Sequence, residues 1–227
     1  MANKQNTQDE LDKVNEVLSS SEQFIENNQK RISLILCIII LCAAAWIGVR
    51  YFYFEPREKA AYVEMFKGEF YLDTDSFNLA LNGNGADYIG FKAIVEDYSH
   101  TDAANLAAAY AGICEYNLGN YASALDYFQS FKADDKFVSP NVLGMMGNCY
   151  ANMDRTGDAI ATFEKAAKKA DNILLSPYYL QKAATVAEAQ GDYNKALSLY
   201  RQIKDDYATS AVARDIDKYI ERAQAKI

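Results

Sequence analysis

From Ile32 to Val49 the chain reads ISLILCIIILCAAAWIGV, eighteen residues without a charge, bounded by Arg31 and Arg50. As a helix rising 1.5 Å per residue this run covers about 27 Å, close to the roughly 30 Å hydrocarbon core of a bilayer. It predicts one transmembrane helix, marked along its length by Ile32, Leu36, Ile40, Trp46 and Val49. Trp46, Tyr51, Phe52, Tyr53 and Phe54 form the aromatic belt expected at a membrane interface, so span and belt together occupy 32–54. Ahead of the span, residues 1–8 are polar and expected to be disordered. Leu11, Val14, Leu18 and Ile25 then recur at helical spacings, with Asp12, Glu16, Glu22 and Glu26 on the other face. Residues 1–31 therefore read as a polar tail with an amphipathic helix near the membrane. A self-pairing coiled coil is the alternative, interrupted at Ser21 and Asn28.

Two other readings of the apolar run fail on its surroundings. A cleaved signal peptide has a short basic leader and an apolar core of about 7 to 15 residues, whereas thirty-one residues precede this run and it continues past the Ala43 to Ala45 mimic of a cleavage site. A lipoprotein signal needs a small residue before the modified cysteine, and Leu41 precedes Cys42. Lys4, Lys13, Lys30 and Arg31 on one flank balance Arg50, Arg57, Lys59 and Lys67 on the other, so the positive-inside rule leaves orientation open.

After Pro56 the apolar spacing becomes helical throughout. Tyr62, Met65, Phe66, Phe70 and Phe77 predict a helix over Arg57 to Leu81, ended by Asn82-Gly83-Asn84-Gly85. Phe91, Ile94 and Val95 predict a second helix over Asp87 to Tyr98. Beyond it the chain repeats itself. Gly119-Asn120-Tyr121, followed by Ala124, Phe128 and Phe131, returns as Gly191-Asp192-Tyr193, followed by Ala196, Tyr200 and Ile203. Ala159, Phe163 and Ala166 keep the same spacing between them, so the marker alanines lie 35 and then 37 residues apart. Gly112, Gly147 and Ala184 are small residues at corresponding places in the preceding helices. Ser139-Pro140 and Ser176-Pro177 both resemble an N-cap followed by proline at the first helical position.

This pattern resembles the tetratricopeptide repeat (TPR), a helix-turn-helix unit of about 34 residues with a Gly, Tyr, then Ala-x3-Phe signature. Gly147, Tyr150, Ala159 and Phe163 carry it most fully. The chain departs from it in lacking a tryptophan near each start, in placing Glu115 and Ala187 where tyrosine is expected, and in having no closing proline. The expected fold is all-α: one transmembrane helix followed by a TPR-like α-solenoid of about four helix pairs with a C-terminal capping helix. Its parts are a divergent pair over 57–103, three repeats over 104–208, and a cap over 209–227. The resemblance implies a partner-binding groove lined by the first helix of each pair. Tyr116, Asn117, Asn141, Asn148, Asn152, Tyr178, Gln181, Thr185 and Glu188 fall at the groove-facing positions. Each could equally be a solvated helix position. No Lys or Arg falls among them, which argues against the acidic C-terminal tails bound by chaperone-docking members of the family.

Composition narrows the functional classes. With 23 Lys and Arg against 31 Asp and Glu, the net charge is -8 and no basic patch stands out, which excludes a nucleic-acid partner. The four cysteines are too scattered for a disulfide framework and read as small buried hydrophobes. His100, the one histidine, falls in a loop, so neither a His-based triad nor a multi-His metal site can be assembled. Gly83-x-Gly85 follows a helix and lacks a third glycine, which makes it a helix stop rather than a dinucleotide loop. Asp134-Asp135 and Asp205-Asp206 lack convergent partners for acid-base or metal chemistry. The expectation is a non-enzyme with no cofactor, no metal and no small-molecule substrate, whose partners are proteins and the lipid bilayer.

A charged tail, one span and a TPR domain ending in SAVARDIDKYIERAQAKI is similar in layout to the ancillary subunit of the bacterial SecYEG translocon, the YfgM-like family. The resemblance implies a bacterial inner-membrane protein with its soluble domain in the periplasm, binding SecYEG and a periplasmic chaperone. A self-associating subunit of another envelope assembly is the alternative.

Overall fold

The computed structural model describes Phe24 and residues 27–227 in full; the other residues from Ala2 onward are placed only as part of a helix. The tail expectations, disorder over 1–8 and the stripe Leu11, Val14, Leu18 and Ile25, lie outside the fully described residues. The chain divides into two units, Met1–Pro56 and Arg57–Ile227.

The first unit is helix α1, Ala2–Val49, followed by a π-helical turn, Arg50–Phe54. It holds the predicted span, in the one helix among the described residues long and apolar enough to cross a membrane. Ile32, Leu36, Ile40, Trp46 and Val49 are all exposed, and consecutive residues such as Leu34, Ile35 and Leu36 are exposed in turn, so no face of the span is covered by protein. By length and composition an all-round apolar helix of this kind is able to cross a bilayer.

The second unit is all-helical among its described residues. Helix α2, Glu55–Asp73, is followed by α3, Phe77–Asn82, and α4, Phe91–Asp97. Three antiparallel pairs come next: α5, Asp102–Asn117, with α6, Tyr121–Ser130; α7, Val138–Asn152, with α8, Thr156–Ala170; and α9, Leu175–Ala189, with α10, Tyr193–Asp206. A 3-10 turn, Val212–Asp215, leads into α11, Ile216–Gln224. This is the expected TPR-like solenoid. The repeating positions form its inner packing: Ala124, Ala159 and Ala196 are fully buried, as are the rings of Phe128, Phe163 and Tyr200. A side chain at Gly112 or Gly147 would collide with the ring of Phe128 or Phe163, so glycine lets the two helices of each pair close over an aromatic. Burying each such ring contributes about 1.5–3 kcal/mol.

Several helix limits differ from expectation. The helix expected over Arg57 to Leu81 is broken between α2 and α3. There Asp75 takes a positive φ of 53° and the Thr74 hydroxyl donates to the carbonyls of Phe70 and Tyr71, so a run of short polar side chains competes with the helix. The helix expected from Asp87 starts at Phe91, because the Asn84 side chain accepts the N–H groups of Ala86, Asp87 and Tyr88 and holds them in a turn. Ser139-Pro140 and Ser176-Pro177 lie inside α7 and α9 rather than at their caps. Capping comes from upstream: the Asp135 carboxylate accepts from the N–H groups of Phe137, Val138 and Ser139, and Asn172 Oδ1 accepts from Leu174 and Leu175. Proline is tolerated within the first turn because those N–H groups have no intrahelical acceptor. At α5 the cap is doubled. Thr101 accepts from Ala104 N–H, and the Glu58 carboxylate of α2 accepts from Asp102 and Ala103 N–H at 2.9 Å each. The negative charge also meets the positive end of the α5 dipole, fixing α2 to the first repeat.

Candidate functional site

Two stripes on α7 divide its surroundings. Residues 139, 142, 143 and 146 share one side, and 141, 145, 148 and 152 share another, about 140° away at 100° per residue. The second stripe shares its side with residues of α9 and α11. Asn148, Ala151, Phe163, Gln181, Lys182, Thr185, Val186 and Tyr219 line an open cavity of about 320 Å³ there.

Side-chain bonds tie this face together across repeats. Asn152 Nδ2 donates to the Tyr116 hydroxyl at 3.1 Å, linking α7 to α5, and to the Asn148 carbonyl at 2.9 Å. Lys182 Nζ donates to Asn148 Oδ1 at 3.1 Å, linking α9 to α7. The same ammonium lies 5.4 Å from the Tyr178 ring centroid and 5.6 Å from that of Phe163, a cation-π placement on two sides. Tyr178 is 43% exposed beside this cation. Gln181 borders the cavity on the next turn; Thr185 does too, its hydroxyl donating to the Gln181 carbonyl. Tyr116, Asn148, Asn152, Tyr178, Gln181 and Thr185 thus share one surface built from α5, α7 and α9.

Three further expected residues have side-chain bonds of their own. Asn117 donates to the Ile113 carbonyl of its own helix. Asn141 Oδ1 accepts from the Tyr179 hydroxyl at 2.6 Å, where α7 and α9 approach closely enough that a Cβ on Gly144 would meet the Tyr179 ring. Burial pushes the Tyr179 phenol up to about 12, so it stays a donor. Glu188, its side chain 12% exposed, accepts from Arg222 Nε at 2.7 Å, from the second guanidinium nitrogen at 2.5 Å, and from the Tyr200 hydroxyl at 2.8 Å. Arg222 above all holds this carboxyl below the usual range, and the bonds join α9 to α10 and α11.

Lys182 and Tyr219 were absent from the expected set. A basic residue, Lys182, thus stands beside the expected positions, none of which is Lys or Arg. Lys182 stands four residues after Tyr178, a spacing that places the pair together on a helix and could have revealed it. Tyr219 belongs to the capping helix, and only the folding of α11 against α9 and α10 brings it here.

Family profiles described as Tetratricopeptide repeat match residues 110–135 and 178–210, and a second such profile matches residues 140–168. These three stretches are similar to the tetratricopeptide repeat and fall on the three helix pairs. A search of curated proteins finds no match. Among solved structures, one titled "Crystal structure of MamA" is 15% identical, with 70% of this chain and 93% of that chain covered at a TM-score of 0.50. Another, "Crystal structure of MamA protein", is 16% identical, covering 73% and 91% at 0.52. At such identities the likeness is one of fold.

Proposed function

We propose that this chain is a membrane-anchored scaffold whose TPR groove holds a protein partner beside the bilayer. TPR repeats support protein binding in general. The observation that carries the present reading is the joined surface of Tyr116, Asn152, Asn148, Lys182 and Tyr178, amide-rich and aromatic, with an open cavity beside Asn148 and Lys182. Amides offer donors and acceptors to a peptide backbone, the Tyr178 ring offers apolar area at low entropic cost, and Lys182 adds one positive charge. A span exposed on every face supports anchoring, and tethering raises the effective concentration of a partner in the same membrane.

The finer reading follows the layout resemblance. The anchor lies in a bacterial inner membrane, the repeats face the periplasm, and the partners are the SecYEG translocon and a chaperone it recruits. The test is a photo-crosslinking residue at Tyr178 in native membranes, with the captured chains identified. Translocon or chaperone chains support this reading, and their absence among specific adducts overturns it. Protease added to intact spheroplasts reads the side, since protection of the repeats would refute a periplasmic domain.

One observation favours a second reading, a self-associating envelope subunit. Tyr62, Val63, Phe66 and Phe70 on α2 are all exposed, Phe66 by 76%, while Ala61, Met65 and Gly68 face the fold. Mass measurement of the full chain in detergent separates the two: a monomer alone removes self-assembly.

A further inference from the structure

A second recess lies on the other stripe of α7 and takes no part in the groove. Helix α6 ends at Ser130, after 10 residues, whereas α8 has 15 and α10 has 14. At Phe131 the backbone turns extended, with φ −66° and ψ 133°. Residues 131–135 match 166–170 by the repeat spacing, and there Ala166, Ala167 and Ala170 are buried in a last helical turn. Repeat one lacks that turn. Its absence leaves an open slot of about 630 Å³ with a floor of Phe128, Phe131, Val142, Leu143 and Met146.

The far wall is electrostatically distinct. Lys165, Lys168 and Lys169 border the slot from α8, at i, i+3 and i+4 on one helix side. Lys169 is paired with Asp134. Lys165 and Lys168 form no ion pair among the described residues. In a chain of net charge -8, an apolar slot edged by two unpaired ammonium groups is complementary to an apolar side chain with carboxylates beside it.

We propose that this slot is a second docking site, for an acidic amphipathic peptide segment of a partner protein. A Leu- or Phe-type side chain enters against Phe131, Val142 and Met146, and neighbouring carboxylates pair with Lys165 and Lys168. Methionine in the floor lets the slot adapt to side chains of different shape. Two cations one turn apart favour a segment carrying more than one carboxylate over a fatty acid, which brings only one. This site does not rest on the groove reading, since it uses the opposite side of α7 and none of the groove residues.

The test is selection of a random peptide library on the full chain held in lipid nanodiscs, followed by binding of the enriched peptides to variants. Enriched peptides should combine Leu or Phe with adjacent Asp or Glu. Lys165→Glu with Lys168→Glu should weaken them about tenfold or more, two charge pairs being reversed. Tyr178→Ala with Asn148→Ala should leave them unchanged. Both lysine positions are at the surface, and an unaltered helical spectrum certifies the fold. The proposal is overturned if no such peptides are enriched, if the lysine variant binds them equally, or if the groove variant abolishes binding. It is overturned too if dodecanoate occupies the slot in preference to every selected peptide.

Discussion

The ring of Phe163 lies against the backbone of Gly147 so closely that a Cβ there would stand 2.7 Å from its Cε1 atom. The first repeat places Phe128 against Gly112 in the same way, at 2.6 Å. Because the ring is buried and cannot swing out, Gly147→Ala should destabilise the domain by about 1–3 kcal/mol through overpacking. Gly157, in the first turn of α8, has open space around its Cβ position. There Gly157→Ala should be neutral or raise stability by up to about 1 kcal/mol. Thermal unfolding followed by circular dichroism compares the two, and equal midpoints would refute the close-approach account.

The latch between Glu188 and Arg222 predicts a pH dependence. The folded carboxyl titrates below its unfolded value, so the contribution is fully present above the ordinary glutamate range of about 4.3 and fades as pH falls through the folded value. Glu188→Gln should cost about 1–2 kcal/mol at neutral pH, since Arg222 is half exposed and screened. The gap between variant and parent should narrow on acidification. A gap that stays constant down to strongly acidic pH would show that the carboxylate charge is not what holds α11.

Asp135→Ala and Asn172→Ala each remove the side chain that caps the start of α7 or α9, and each should cost about 1 kcal/mol. Ser139→Ala should cost less than Asp135→Ala, because Asp135 caps three N–H groups while the Ser139 hydroxyl bonds mainly back to that carboxylate. Urea midpoints check the order, and the reverse order would restore serine as the cap.

Tyr178→Ala with Asn148→Ala should abolish co-purification of the groove partner while leaving the helical signal intact, because both side chains lie at the surface of their helices. Partner recovery equal to the parent would move the binding surface elsewhere on the repeats.

Cys114 and Cys149 should resist a water-soluble maleimide until the domain unfolds. Burial pushes the first thiol up to about 12, with Glu115 adding to it, and the second up to about 11. Labelling of either under native conditions, read by mass, would contradict their enclosed positions.

The sequence discloses what is periodic. Ala124, Ala159 and Ala196 lie fully buried because each meets the neighbouring helix once per repeat, and that constraint writes itself at fixed spacing. Gly112 and Gly147 were legible for the same reason. Helix limits were less so. Ser139-Pro140 has the form of a helix start, yet Asp135 takes the capping role because the preceding loop folds its carboxylate back over the first turn. Within the site, Asn148, Asn152 and Tyr178 follow from helix spacing, while the diversion of Glu188 to Arg222 joins residues 34 positions apart and has no local signature. The arrival of Tyr219 at the cavity is equally a product of tertiary packing.

Tyr219 and Arg222 give α11 two duties within two turns: one side chain walls the cavity and the other latches onto α9. A helix that only shielded apolar surface could be exchanged for any amphipathic segment of the same length. This one cannot be swapped freely, because hybrids that graft these repeats onto a foreign terminator would lose one wall of the cavity together with the Glu188 to Arg222 latch. The shape of the cavity and the termination of the stack are therefore set by one and the same helix.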